Sequence, residues 1–195
     1  MLYRNLILLF IGALFFSSCE ETVYTPKPIA YPRIHFPEKG DYINYKLADC
    51  PFNFEYPKYA SLENDPSGKE KNPCWFNINF DDFNAKIYMS YKEIGSEISL
   101  EKVLEDAHKL KNAHNKKADY IDEAVIKNKN GVEGELSEIG GNVATNVQFY
   151  LSDYENHYIR GALYFRATPN IDSVQPIVDF IKADMMHVFE TFNWE

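Results

Sequence analysis

Tyr158-Ile159-Arg160-Gly161-Ala162-Leu163-Tyr164-Phe165 decides how this chain folds. Successive side chains of an extended strand point to opposite faces. Ile159, Leu163 and Phe165 therefore share one face with Gly161 between them, while Tyr158, Ala162 and Tyr164 share the other. Apolar side chains on both faces predict a sheet that is covered on both sides.

The neighbouring segments supply the rest of that sheet. Upstream, Asp153-Tyr154-Glu155-Asn156 predicts a turn into a strand over 143–151, and Gly140-Gly141-Asn142 predicts the turn before it. Asn130-Gly131, set between strand-like runs 121–128 and 132–139, has the pattern of a type I′ hairpin with positive φ at both central residues. These runs predict an antiparallel meander. Trp75-Phe76-Asn77-Ile78-Asn79-Phe80 alternates with period two, and 85–91 resumes the pattern after Asp81-Asp82, which predicts another hairpin.

Two segments have helical spacing and supply the covers. Leu100, Val103, Leu104, Ala107 and Leu110 lie on one face behind Ser99, a natural N-cap, with Glu101 in the first turn. Val174, Ile177, Val178, Ile181, Met185, Val188 and Phe189 form the face of a second helix, capped by Asp172 or Ser173, with Pro176 near its first turn. The expected fold is α+β: a mainly antiparallel sheet covered by two main helices in an α/β/α sandwich.

The N-terminus predicts an export signal. Arg4 precedes an apolar run over 6–16, and Ser17-Ser18-Cys19 follows at once. These 11 residues fall short of the roughly 20 that a membrane-spanning helix requires, but they suit the hydrophobic region of a signal peptide. Small residues before a cysteine are what a lipoprotein signal peptidase needs, so Cys19 is the expected lipidation site. The alternative is a secreted chain with a stray cysteine. Acyl chains contribute about 0.8 kcal/mol per buried CH₂, enough in pairs or threes to anchor the domain without spanning. Residues 20–32 carry two acids and then prolines at 26, 28 and 32, a semi-extended spacer. The expected organisation is a signal peptide over 1–18, a lipidated Pro-rich tether over 19–32, and one domain over 33–195.

Composition suits an ordinary folded domain, with 45% hydrophobic and 25% charged residues. Cleavage after Ser18 would remove one of the 20 basic residues and none of the 29 acidic ones, leaving a net charge of −10. Such a chain repels phosphate backbones, which argues against a nucleic-acid partner. Cys50 and Cys74 form an even pair, and in an oxidising compartment that argues for a disulfide. The loop it would close holds about 25 residues, worth roughly 3.5 kcal/mol on the chain-entropy account. It includes the polar run 63–73, which could not order itself by burial. A metal site and two free thiols are the alternatives, although neither cysteine has the spacing of a zinc motif.

Motifs for chemistry are sparse. The chain has no Gly-x-Ser-x-Gly, Walker or Gly-x-Gly-x-x-Gly sequence, and Ser90, Ser96, Ser99 and Ser137 lack a nucleophile elbow. Glu101, Glu105 and His108 align on one helix face, which suits a weak cation site or, more simply, a solvated surface. His108 and His114 point in different directions, and His35, His157 and His187 are isolated. Glu133, Glu135 and Ser137 alternate with Val132, Gly134 and Leu136, the pattern of a solvated outer strand face. A hydrolase acid pair is the alternative. With 14 Tyr and 14 Phe, the aromatic strands suit either a ligand platform or packing within the sheet. No catalytic residue, metal or cofactor is expected.

Several stretches resemble the gliding-motility lipoprotein GldD family of the Bacteroidetes. They are Pro26-Lys27-Pro28 with 33–39, Cys50-Pro51-Phe52-Asn53-Phe54-Glu55-Tyr56-Pro57-Lys58-Tyr59-Ala60, and Pro73-Cys74-Trp75-Phe76-Asn77. Lys117-Ala118-Asp119, Asn146-Val147-Gln148-Phe149, Arg160-Gly161-Ala162-Leu163-Tyr164-Phe165 and Pro169-Asn170-Ile171-Asp172-Ser173 with 177–194 also match. The resemblance implies a role in gliding motility alongside type IX secretion proteins of the envelope. It also implies a non-enzymatic assembly or scaffold function and an anchor at Cys19, with outer-membrane attachment on the periplasmic side expected. Both other cysteines lie in matched motifs, which supports their pairing. The expected sandwich is similar to the Mog1/PsbP-like fold, an analogy that says little about function. The competing expectation is an envelope ligand-binding or hydrolytic domain using aromatic and acidic residues.

Overall fold

Among the described residues, ten strands and two main helices build the domain, and every strand pairing is antiparallel. The computed structural model describes residues 31, 33–47, 49–64 and 72–195. Ile34–Glu195 forms one unit and Met1–Arg33 another, in which the described Tyr31 and Arg33 are exposed. The expected signal peptide, Cys19 and the expected tether apart from Tyr31 lie outside the described residues, as does 65–71 of the polar loop. Among the described residues, no helix is long and apolar enough to cross a membrane.

Seven strands form the large sheet: β3 (Ser61–Asn64), β4 (Trp75–Phe80), β5 (Ala85–Glu93), β6 (Ile121–Lys127), β7 (Glu133–Ile139), β8 (Thr145–Ser152) and β9 (His157–Phe165). Their spatial order is β3-β4-β5-β9-β8-β7-β6. The quoted strand β9 is therefore central, with Ile87 and Val147 opposite Leu163 on its two sides. Gly161 is needed there, because a Cβ would lie 2.2 Å from the Phe149 ring and 3.0 Å from Met89 Sδ. The expected 75–80/85–91 hairpin and the meander from 121 to 167 both form. Asn84 takes φ 49° between β4 and β5, after a short 3-10 turn at Asp81–Phe83.

A second sheet was not anticipated. β1 (Tyr42–Lys46), β2 (Phe52–Pro57) and β10 (Asn193–Trp194) pair in the order β1-β2-β10. With β3, these strands carry weak sequence signals: they are short, prolines interrupt them, and β10 has only two residues. The small sheet is held by rings. Tyr45 stacks 4.8 Å from both Phe54 and Phe76, and Phe54 lies 5.8 Å from Phe192, parallel within 5°. Cys50 and Cys74 are joined as a buried disulfide, Cα atoms 5.5 Å apart, linking the segment before β2 to the start of β4.

Helix α1 spans Leu100–Asn112 and α2 spans Ile171–Thr191. α2 packs mainly on β2 and also touches β6 and β8. Its Val178, Ile181, Met185, Val188 and Phe189 are buried, as periodicity predicted. The helix begins earlier than expected, with Asn170 as N-cap in place of Asp172 or Ser173, so Pro176 falls in the second turn. The reason is tertiary: the Ile171 N–H donates to Asn142 Oδ1 at 2.8 Å, a cap supplied from the β7–β8 connection.

The Asn130-Gly131 hairpin also forms with a different turn. Only Gly131 has positive φ (77°), and the Asn128 N–H donates to Val132 O at 3.0 Å around a three-residue loop. Asn128 explains the change. Its Oδ1 accepts from Asn130 and Val132 N–H groups, while its Nδ2 donates to the Phe189 and Phe192 carbonyls at the end of α2. The turn thus doubles as a C-terminal cap, which fixes its geometry.

Candidate functional site

The two faces of the large sheet differ in chemistry. One is packed with Phe76, Ile78, Ile87, Met89, Val147 and Leu163 beneath α2 and the small sheet. The other presents Ser90, Lys92, Tyr158, Arg160, Gln148, Tyr150, Glu135 and Ser137 by strand alternation. α1 lies over this polar face.

α1 starts at Ser99, whose hydroxyl accepts from the Lys102 N–H as expected. Its buried residues are Val103 and Lys111, whereas Leu110, expected on the buried face, is 48% exposed. The reason lies beneath the helix. Lys111, only 4% exposed, donates to Glu135 Oε1 at 2.7 Å and to Glu123 Oε1. Burial opposes its charge, but the two carboxylates outweigh that and raise its pKa. This ion pair and Val103, four-residue neighbours of Ala107, set the row that faces the sheet. The same contact corrects a second expectation: Glu135 and Ser137 are not a solvated strand face. Ser137 is buried and its hydroxyl donates to Glu135 Oε1 at 3.1 Å.

Next to this ion pair, α1 and the sheet line a cavity of about 420 Å³ that opens to solvent. Its helix side is Val103, Asp106, Ala107 and Leu110, and its sheet side includes Ser90, Tyr158 and Arg160. Arg160 donates from Nη2 to Gln148 Oε1 at 2.8 Å. Burial, which disfavours the charged form, lowers its pKa. Tyr158 is 3% exposed, and burial raises the pKa of its hydroxyl despite the Arg160 charge. Neither that hydroxyl nor the buried Gln148 Nε2 has a hydrogen-bond partner. His114, after the end of α1, is held below the usual imidazole value by burial and then by Arg160. Sequence reading passed over Arg160 and Gln148. The available signal was a cation in an otherwise apolar strand whose two faces were both expected to be covered.

Other polar clusters fasten the fold. Asp184 of α2, 1% exposed, accepts from Lys39 Nζ at 2.8 Å, from Tyr42 OH at 3.0 Å and from Tyr59 OH. His187 pairs with Glu55 at 2.7 Å beneath the stacked Tyr42 ring. His157 bonds the Tyr91 hydroxyl at 2.8 Å. Asp153 accepts three backbone N–H groups in the β8–β9 turn, and these bonds hold its carboxyl below the usual range against the opposing effect of burial. On α1, Glu105 bonds Lys109 at 2.6 Å, and His108 is exposed. Among the described residues, no three His, Cys, Asp or Glu side chains group to hold a metal.

Comparison with solved structures finds the solution structure of cyanobacterial PsbP (CyanoP) from Synechocystis sp. PCC 6803. It has 10% identity and a TM-score of 0.44 over 81% of this chain and 95% of that one. The α+β class rests on the strand pairings and helices described above. No curated protein gives a significant match. The family model described as "Gliding motility lipoprotein GldD" matches residues 21–194, nearly the whole chain, including β9, both cysteines of the disulfide and the full length of α2. The chain belongs to the gliding motility lipoprotein GldD family.

Proposed function

We propose that this protein is a non-enzymatic assembly or scaffold component of the gliding apparatus, working with type IX secretion proteins of the envelope. The family match across residues 21–194 carries this reading. Membership in a lipoprotein family implies a lipid anchor in the envelope. We assign that anchor to Cys19, after cleavage of 1–18, with 19–32 as the tether of the 33–195 domain. We place the lipid in the outer membrane on its periplasmic side. The domain's construction is consistent with a holding role: Asp184 and Lys111 are tied into ion pairs and hydrogen bonds that fasten one element to another.

The test is colony spreading by a deletion strain complemented with the wild-type chain or with Cys19→Ala. Spreading should stop on deletion and return only with the wild type. Normal spreading without the protein would reject the motility role in this organism. Restoration by Cys19→Ala would reject the anchor. Cross-linking in intact cells should capture gliding or type IX secretion proteins, and recovery of abundant porins alone would count against the scaffold reading.

A further inference from the structure

We propose that the cavity between α1 and the large sheet binds a small carboxylate with a short aliphatic part, gripped by Arg160 and by the unpartnered hydroxyl of Tyr158. The site is independent of the motility reading.

The donors in this cavity exceed the acceptors. Among the described residues, no carboxylate lies within salt-bridge distance of Arg160, whose single side-chain partner is the neutral Gln148 Oε1 at 2.8 Å. The nearby acids are engaged elsewhere: Glu135 with Lys111 at 2.7 Å and Asp106 with Lys102 at 3.2 Å. Arg160 is partly buried without a counter-charge, and a buried hydroxyl ordinarily finds a partner. Here the Tyr158 hydroxyl and the Gln148 amide nitrogen both lack one. Gln148 lines a smaller recess that shares Arg160 and Ala107 with the cavity wall. An anion seated beside Arg160 would supply the missing acceptor atoms.

Charge and shape narrow the ligand. The chain as a whole carries −9, yet this wall holds Lys92, Lys109 and Arg160 against Asp106 alone. Lys109 is already bonded to Glu105, so Arg160 and Lys92 are the cations available to a ligand. Arg160 and Lys92 set against Asp106 leave one net positive charge, which favours a carboxylate over a phosphate dianion. The helix side is apolar through Val103, Ala107 and Leu110, a seat for aliphatic carbons. At about 420 Å³ the space is within the usual range of small-ligand pockets. A free short-chain acid and the C-terminal end of a peptide with an aliphatic last residue share this chemistry.

The test is calorimetric titration of the full-length protein in detergent with hexanoate, hexanamide, N-acetyl-leucine and inorganic phosphate. One carboxylate should bind per chain, and hexanamide and phosphate should each bind at least roughly tenfold more weakly. Tighter binding of N-acetyl-leucine would assign the site to a peptide end, and tighter binding of hexanoate to a free acid. Arg160→Gln should abolish binding. Tyr158→Phe guards against misfolding, because it removes an atom with no partner in the free protein. It should keep or raise the melting temperature while weakening carboxylate binding roughly tenfold. Bound carboxylate should also raise the pKa of the His114 imidazole, read by NMR, by offsetting the Arg160 charge. Absence of saturable carboxylate binding, unchanged affinity in Tyr158→Phe, or a preference for phosphate would each overturn the proposal.

Discussion

The two faces of the large sheet are built from the same strands and held by different forces. Beneath α2 and the small sheet, Phe52, Phe54, Phe76, Phe189 and Phe192 are fully buried and interlock with Ile87, Leu151, Ile159 and Leu163. Their contribution is non-directional and grows with apolar area removed from water, about 25 cal/mol per Å². Beneath α1 the contacts are directional: one ion-paired lysine, one guanidinium on an amide, and polar atoms without partners. A helix seated on such a face gains little from burial, which fits the single buried apolar residue that α1 offers, Val103. The apolar face makes the fold stable. The polar face keeps unpaired donors at some cost in stability, and such a cost is commonly retained where a ligand is bound.

Truncation on the apolar face should have the largest effect. Phe189→Ala removes a ring set 4.7 Å from Phe149 at 62°, and it should destabilise the domain by about 3–5 kcal/mol in denaturant unfolding. A loss no greater than that of the next variant would break the contrast between the faces. Lys111→Ala leaves Glu135 and Glu123 facing each other without their shared cation, and it should cost about 1–3 kcal/mol. Lys111→Met should recover part of that loss, because it restores the apolar stem without the charge. Equal losses for the two replacements would show that the apolar stem plays no part in seating α1 and that the loss comes from the charge. Leu110→Ser, at a position 48% exposed, should change stability by no more than about 0.5 kcal/mol. A loss like that of a core leucine would restore Leu110 to the buried face that its spacing first suggested.

Helix periodicity held along α2 and, in α1, failed at Leu110, and the reason is the same in both. Periodicity reports which residues prefer to leave water, and α2 meets an apolar surface that accepts all of them. α1 meets a polar surface, where the Lys111 ammonium finds two carboxylates and Leu110 finds none of its kind. Glu135 shows the matching error on the sheet. Alternation placed it correctly on the outer face, but whether that face is wet depends on what lies over it. The Asn130-Gly131 turn was legible as a hairpin, while its type depended on Asn128 reaching the end of α2. Arg160 was quoted within the most informative strand, yet its surroundings could not be read from β9 alone, because its partner Gln148 is on β8.

By itself the sequence determined the α+β class, the large sheet's hairpin and meander, both helices and the family. These follow from local patterning: period two and period 3.6 record how each segment must face an apolar layer, and glycine and asparagine mark where the chain can reverse. Only the tertiary structure decided the second sheet, the cap of α2 by Asn142, the turn at Gly131 and the cavity beneath α1. Each depends on groups distant in sequence meeting in space: rings stacked between two sheets, a side-chain oxygen reaching a far helix, a lysine choosing two glutamates. Such contacts leave no period in the chain, because the energy that fixes them arises only once both partners are in place.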